Sequence, residues 1–217
     1  RSLDNLRHAD LGMQPTGVVT FGMNPMRLDY NGERQFGLVR DTIGQLRSAP
    51  GIESVAFASP SPFWRGRVPA SVKVEPTEQA PEHAVSRTVV SADYFGTLGI
   101  PLRAGRVFAE TEFERTRRKE GVRIVNESLA RQLFGGNSAV GRWIHLSQAA
   151  RGWELDRSLE IVGVVGDTRF GSNLREPGGV VVYEPAGASM SAAAFFVRSK
   201  LAPAEALSIV PTTIRRI

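Results

Sequence analysis

A strand–helix–strand pattern near the start of the chain is the feature that most restricts the fold. Residues 31–48 predict a helix, between two runs rich in β-forming residues, TGVVTFGM at 16–23 and IESVAFA at 52–58. The apolar residues of the helix recur at steps of three and four and make one face; they are Phe36, Val39, Ile43 and Leu46. A helix with a single apolar face has to cover another layer, so we expect the two strands to lie beneath it.

The end of the chain repeats half of this pattern. AAFFVR at 193–198 predicts a strand, and Pro203 opens a helix with Leu207, Val210 and Ile214 on one face. We therefore expect Thr16–Met23, Ile52–Ala58 and Ala193–Phe196 to share one sheet. The helices Asn31–Ser48 and Pro203–Arg216 should cover it.

The middle of the chain then reads as an insertion between the two ends. Its strands are short, and polar loops containing Pro and Gly separate them. The fold class expected is α+β with two lobes. One lobe is discontinuous, residues 1–60 and 191–217, and the other is β-rich, residues 61–190.

A short helix is the clearest element of the middle segment. Asn126 has the side chain of a good N-cap, residues 127–134 form the helix, and Gly135-Gly136 provides the left-handed stop. Leu129 and Leu133 lie one turn apart, so we expect both to be buried.

The sequence offers no recognisable catalytic or metal-binding group. It has no Cys, which removes thiol nucleophiles and thiolate metal ligands. None of the three lysines (Lys73, Lys119, Lys200) lies in a phosphate-binding Gly-Lys-Ser/Thr turn. The three histidines are far apart in sequence and lack metal-ligand spacing. We expect no catalytic residue, no cofactor and no metal.

The positive charge does not indicate a nucleic-acid partner. The formal net charge is +5, but the basic residues extend from Arg1 to Arg216 rather than clustering. Nucleic-acid binding proteins usually concentrate charge on one face and place aromatic residues among it. We expect no nucleic-acid binding.

Phe63 and Trp64 are the most conspicuous side chains outside the predicted elements. They lie in a Pro-rich loop, SPSPFWRGR, at the expected boundary between the lobes. Large aromatic side chains on a loop either fill a neighbouring core or form an exposed contact. Both interpretations stay open, and Phe63 and Trp64 are our candidates for an interlobe or partner contact.

Several segments resemble one family of bacterial membrane proteins. VSADYFGTLGIPLRAGRVF (90–108) and VRIVNESLARQLFGGNSAVGRWI (122–144) are similar, in order and spacing, to segments of MacB- and FtsX-type ABC transporter permeases. EIVGVVGD (160–167) and VVYEP (181–185) resemble later strands of the same family. The chain as a whole resembles its MacB-like periplasmic core domain, especially that of the duplicated orphan permeases of Acidobacteria.

The resemblance implies a place and a set of partners. It implies a porter-like lobe from the two ends and a Sabre-like lobe from the middle. Both would be exposed on the periplasmic side of the cytoplasmic membrane. A transmembrane helix would precede Arg1 and others would follow Ile217. A cytoplasmic ABC ATPase and a periplasmic partner would complete the transporter.

Two functions follow as hypotheses. The first is a non-catalytic extracytoplasmic domain that couples movement of transmembrane helices to a substrate or partner. The second is an extracytoplasmic ligand-sensing or substrate-binding module, which requires a well-formed pocket. An open groove between the lobes would favour the first, and an enclosed cavity the second.

Overall fold

A computed structural model describes residues 10–24, 32–61, 68–74, 79–112, 121–148, 153–169, 179–186 and 193–214. Within these ranges the chain forms ten strands and four helices. The strands are β1 (Val18–Met23), β2 (Ile52–Ser59), β3 (Val68–Lys73), β4 (His83–Val90), β5 (Leu102–Gly105), β6 (Gly121–Asn126), β7 (Trp143–Gln148), β8 (Trp153–Val165), β9 (Val181–Pro185) and β10 (Ala193–Ser199). The helices are α1 (Gly32–Arg47), α2 (Tyr94–Leu98), α3 (Glu127–Phe134) and α4 (Pro203–Ile214).

The two ends of the chain pair as the sequence predicts. β10 lies between β1 and β2 and is antiparallel to both. Phe195 is the partner of Phe21 on one side and of Phe57 on the other. The rings of Phe21 and Phe195 stack with centroids 4.9 Å apart. We call β1, β10 and β2 the terminal sheet, and the expectation that these segments share one sheet is confirmed.

Helices α1 and α4 pack on one face of the terminal sheet. In α1 the buried residues Val39, Ile43 and Leu46 follow the predicted spacing. In α4 the expectation for Leu207 is wrong, because this side chain is 46% exposed. Val210 is buried as predicted, together with Ala206, and Ile214 packs partly buried against the same core, so the predicted face is confirmed except at Leu207.

The middle of the chain closes into a ring of strands. Each strand pairs with the next in the order β4–β3–β7–β8–β6–β9, and β9 pairs back with β4. We call these strands the six-strand ring. Alternate residues point inward and form one apolar cluster with α3; its members on the strands include Val72, Val85, Val125, Ile144, Leu159 and Val182. A closed ring leaves these strands without an open edge.

Helix α3 covers part of this apolar cluster and has the predicted ends. The Asn126 side chain accepts a hydrogen bond from the Leu129 N–H at 3.3 Å, and Gly135 has φ of 59°. Leu129 is fully buried, as predicted. Leu133 is only partly buried against the cluster, whereas the sequence predicts that it is buried.

Two local features differ from the sequence predictions. β5 was not predicted, because LRAG contains few β-forming residues and is exposed; it pairs only with β8. Ser91 lies three residues before α2 and has a side chain of the kind that caps helices, but its hydroxyl accepts the Phe57 N–H at 3.0 Å. A side chain that could cap a helix is here used to join β2 to the start of α2.

The terminal sheet and the six-strand ring belong to one continuous sheet. β2 and β4 are joined by the pairs Ala58–Val90 and Ser59–Val89. The division into two lobes at 60/61 and 190/191 stays a prediction.

Leu129 and Leu133 provide a matched test of this packing. We expect Leu129→Ala to lower the free energy of unfolding by about 2–5 kcal/mol, because it leaves a cavity under α3. Leu133→Ala should cost clearly less, since that side chain retains access to water. Urea denaturation of both variants measures the difference, and equal losses would show that α3 is packed differently.

Candidate functional site

The place where the terminal sheet meets the six-strand ring has few backbone hydrogen bonds. Besides the two β2–β4 pairs, Ser91 donates its N–H to the Phe57 carbonyl at 3.1 Å. The Phe57 N–H in turn donates to the Ser91 hydroxyl at 3.0 Å. We call this region the junction. The relative position of the two parts therefore depends strongly on side chains.

An aromatic cluster fills one face of the junction. Tyr94 meets Phe95 and Phe196 edge-on, with centroids 5.4 and 5.8 Å apart. Phe95 meets Tyr183 in the same way at 5.1 Å. Phe196 belongs to β10, and Tyr183 belongs to the six-strand ring. The same apolar core is thus shared by both parts.

The two buried tyrosines stay protonated in this core. Burial, and next the proximity of Tyr183, raises the pKa of Tyr94 well above its usual value. Burial also raises the pKa of Tyr183 to about 12, although a hydrogen bond with Thr168 acts in the opposite direction. Among the described residues the Tyr94 hydroxyl has no hydrogen-bond partner, which carries a desolvation cost.

Three charged side chains form a cluster inside the six-strand ring. Glu184 on β9 lies between Arg87 on β4 and Arg123 on β6, with exposed side-chain fractions of 12%, 20% and 4%. Glu184 Oε2 accepts from Arg87 Nε at 3.1 Å and from Arg123 Nη2 at 2.6 Å. Arg87 also bonds the other carboxylate oxygen. By strand alternation this trio lies on the inner face of the ring, at the end nearest α1.

A groove of about 490 Å³ runs along α1 at the junction and is open to solvent. α1 forms one wall, and Ser91, Ala92, Glu110 and Thr111 lie on the opposite side. Arg47 spans the groove, because its guanidinium bonds Asp93 and lies 3.8 Å from a Glu110 oxygen. These are surface ion pairs, so each contributes little to stability.

Arg198 joins three separate parts of the chain. Its guanidinium donates to the carbonyl of Thr97 at 2.8 Å, of Gln14 at 2.7 Å and of Thr16 at 3.0 Å. Gln14 in turn donates its N–H to the Leu98 carbonyl at 2.8 Å. The segment 10–17, which we call the entry segment, is therefore held to β10 and to α2 at once.

The entry segment is also held at its beginning. Arg169 donates its N–H to the Leu11 carbonyl at 3.0 Å. Gly12 has φ of 67°, and an added Cβ would lie 1.9 Å from the Asp167 carbonyl oxygen. Only glycine fits this close approach. The entry segment thus contacts the end of β8 before it reaches β1.

Asn126 and Asp167 fix the loops around this contact. Asn126 donates to Asp167 at 2.6 Å and to the Gly179 carbonyl at 2.9 Å, and it accepts from the Val181 N–H at 2.9 Å. Asp167 also accepts from the backbone and hydroxyl of Ser128 at 2.9 and 2.6 Å. The ends of β6, β8 and β9 are tied together by these two side chains.

The comparisons with known proteins agree with this geometry. The model of the family described as MacB-like periplasmic core domain matches residues 4–211. The chain belongs to this family. In the family, the domain is the periplasmic part of ABC-type transporter permeases.

Solved structures of two such domains have a similar fold. The periplasmic region of MacB from Actinobacillus actinomycetemcomitans aligns with a TM-score of 0.62 at 17% identity, over 99% of this chain and 87% of that chain. The extracellular domain of the noncanonic ABC-type transporter YknZ from Gram-positive bacteria aligns with a TM-score of 0.53 at 15% identity, over 81% and 79%. No curated protein sequence matches the chain significantly.

The described part of this MacB-like domain contains no membrane-spanning helix and no group of three side chains placed to hold a metal ion. Phe63 and Trp64, the site residues predicted from sequence, lie outside the described residues. Sequence reasoning found Asn126 as a helix cap but missed Arg198 and Glu184. Neither has a local signal, because their partners lie far away in sequence.

Glu184 is expected to stabilise the MacB-like domain. Glu184→Gln removes the negative charge shared by Arg87 and Arg123, and we expect a loss of about 3–5 kcal/mol because Arg123 is buried. Glu127→Gln is the control, since its pair with Arg103 is exposed and worth less than about 1 kcal/mol. Thermal and urea unfolding compare the two, and a loss for Glu184→Gln as small as the control's would contradict a structural role for the trio.

Proposed function

We propose that this chain is the non-catalytic extracytoplasmic domain of a bacterial ABC transporter permease, held at the cytoplasmic membrane. Its role is to couple movement of the permease's transmembrane helices to a substrate or partner. Family membership supports the extracytoplasmic position of the chain in a permease. The arrangement around Arg198 supports the coupling.

The coupling proposal assigns the chain two lobes. Residues 1–60 and 191–217 make a porter-like lobe, and residues 61–190 make a Sabre-like lobe. The narrow β2–β4 ladder supports this division, because two residue pairs constrain rotation less than a long ladder does. The two lobes would rotate slightly relative to each other about the shared aromatic cluster, since apolar contact is non-directional.

Arg198 is the single observation that carries the proposal. The entry segment reaches β1 of one lobe only after it has bonded α2 and the end of β8 of the other. A force that displaces this segment therefore acts on both lobes. A transmembrane helix ahead of the segment, as the family implies, would supply that pull.

The partners proposed are those of such a transporter. They are the transmembrane helices of the same polypeptide, a cytoplasmic ABC ATPase and a periplasmic partner. ATP hydrolysis takes place in the ATPase, and the chain itself breaks no bond.

A ligand-sensing or substrate-binding module is the second candidate. Only the volume of the groove along α1 supports it, since about 490 Å³ lies within the range of small-molecule sites. The groove is open, whereas a sensor site would be an enclosed pocket. An open groove fits better with a surface whose shape changes when the lobes move.

A distance measurement in the parent permease tests the coupling. The chain itself has no Cys, and any Cys elsewhere in the permease is replaced by Ser, so that spin labels are placed only at Leu207→Cys and Trp143→Cys, which are exposed on α4 and β7. With the copurified ATPase, ATP and vanadate should shift the distance between these labels in pulsed electron paramagnetic resonance. Labels at Leu102→Cys and Trp143→Cys, both on one lobe, should show no shift.

The role of Arg198 is tested in the same system. Arg198→Ala should abolish or halve the ATP-dependent shift while the purified domain stays folded at the temperature of the measurement, although its melting temperature falls because three hydrogen bonds are lost. An unchanged shift would show that the entry segment does not carry the motion. If an active ATPase copurifies and no label pair responds, coupling itself is wrong.

Phe63 and Trp64 remain our proposed interlobe or partner contact. The chain on either side supports this, since β2 ends next to Val89 and β3 begins opposite Arg87. We expect Trp64→Ala to speed amide hydrogen exchange only at the junction, whereas Trp64→Phe should not. Unchanged exchange together with lost partner binding would favour the contact role, and no change in either would exclude both.

A further inference from the structure

Asp167 lies just beyond the end of β8 and contacts two different elements through different groups. Its backbone carbonyl lies against Gly12 of the entry segment, so close that an added Cβ there would be 1.9 Å from the oxygen. Its carboxylate accepts the backbone N–H of Ser128 at 2.9 Å and the hydroxyl of the same residue at 2.6 Å. One residue therefore links the entry segment to the start of α3.

The backbone that follows Asp167 is also bonded to the entry segment. Arg169 donates its N–H to the Leu11 carbonyl at 3.0 Å. The entry segment thus contacts this short stretch at two points, Leu11 and Gly12. Because the direction of a carboxylate follows from the position of its own backbone, the alignment of Asp167 with Ser128 depends on where the entry segment lies.

Helix α3 depends on the groups that hold its start. It has eight residues, and helices shorter than about 12–15 residues are marginal in water on their own. Two of its first N–H groups are bonded by side chains, that of Ser128 by Asp167 and that of Leu129 by Asn126. A carboxylate at this end also interacts favourably with the helix dipole. Leu129 is the one fully buried side chain of α3, so loss of the Asp167 contact loosens this helix more easily than the strands beneath it.

We propose that Asp167 is a positioning residue through which the position of the entry segment controls the attachment of α3. While the entry segment is in place, the Asp167 carboxylate holds α3 over the apolar cluster of the six-strand ring. When the segment is withdrawn, the carboxylate loses its alignment with Ser128 and α3 loosens. The proposal rests on the coupling function only for the force that withdraws the segment, because the link itself belongs to the purified chain.

Amide hydrogen exchange of the purified chain tests the link with two glycine variants of the entry segment. Gly12→Ala forces a Cβ against the Asp167 carbonyl and should raise the exchange rates of the α3 amides at least about fivefold relative to those of β7. Gly17→Ala is the control. Gly17 also has a positive φ, 75°, but an added Cβ there lies 3.2 Å from the Ser199 carbonyl, and α3 should not change. Equal increases in the two variants, or an equal increase in α3 and β7, would overturn the proposal.

The reverse effect is a second test, because coupling between two sites is reciprocal. Ser128→Ala removes a hydrogen bond to the Asp167 carboxylate and should raise exchange at the Arg169 amide, which bonds the entry segment, at least about threefold. Gln132→Ala is the control, since it removes a bond between α3 and His83 instead. It should leave the Arg169 amide unchanged. Faster exchange at Arg169 in both variants, or in neither, would contradict the link.

A double-mutant cycle assigns the link to the Asp167 side chain. In an Asp167→Ala background, Gly12→Ala should change the α3 exchange rates by less than about twofold, because the connecting carboxylate is gone. Asp167→Asn keeps an oxygen that can accept the Ser128 N–H, so the effect of Gly12→Ala should persist there, and this variant serves if Asp167→Ala does not fold. A full effect in Asp167→Ala, or none in Asp167→Asn, would overturn the assignment. These rates are measured without ATP, so the link can fail while the ATP-dependent distances still support coupling.

Discussion

The structure depends on how a three-stranded terminal sheet is attached to a closed ring of strands. Two ladder pairs between β2 and β4 supply the backbone connection. The aromatic cluster around Tyr94 and Tyr183 supplies an apolar core that both parts share. Hydrogen bonds fix direction, whereas apolar contact tolerates small rotations. A short ladder beside a large shared core thus combines attachment with limited freedom.

The two faces of the junction are physically different. One face is a continuous apolar core. On the other face Val89 and Ala186 pack with α1 and the terminal sheet, and an open groove runs beside them along α1. Movement of the parts is therefore expected to change the groove more than the core.

Local sequence patterns predict many of the helices and strands. The helix spacing from Phe36 to Leu46, the cap at Asn126 and the β-rich runs at both ends each predict their element without tertiary information. What local sequence does not contain is the closure of the ring, since the β9–β4 pairing joins residues about a hundred positions apart. The exposed strand β5 and the exposure of Leu207 on α4 were missed for the same reason, because packing decides them. Of the candidate site, Arg198 and Glu184 look like any other charged residues until their distant partners are known.

The position of β10 has a consequence for how the protein is made. β1 and β2 emerge early in synthesis, but they are not neighbours in the finished sheet, and each waits for β10 to fill the space between them. The ring needs only residues 68–186 and can close before then. The nascent chain therefore carries two strands with unsatisfied edges, Val18–Met23 and Ile52–Ser59, until nearly its last described helix has left the ribosome or the translocation channel. A chaperone that binds exposed strand edges would therefore act mainly on these two segments.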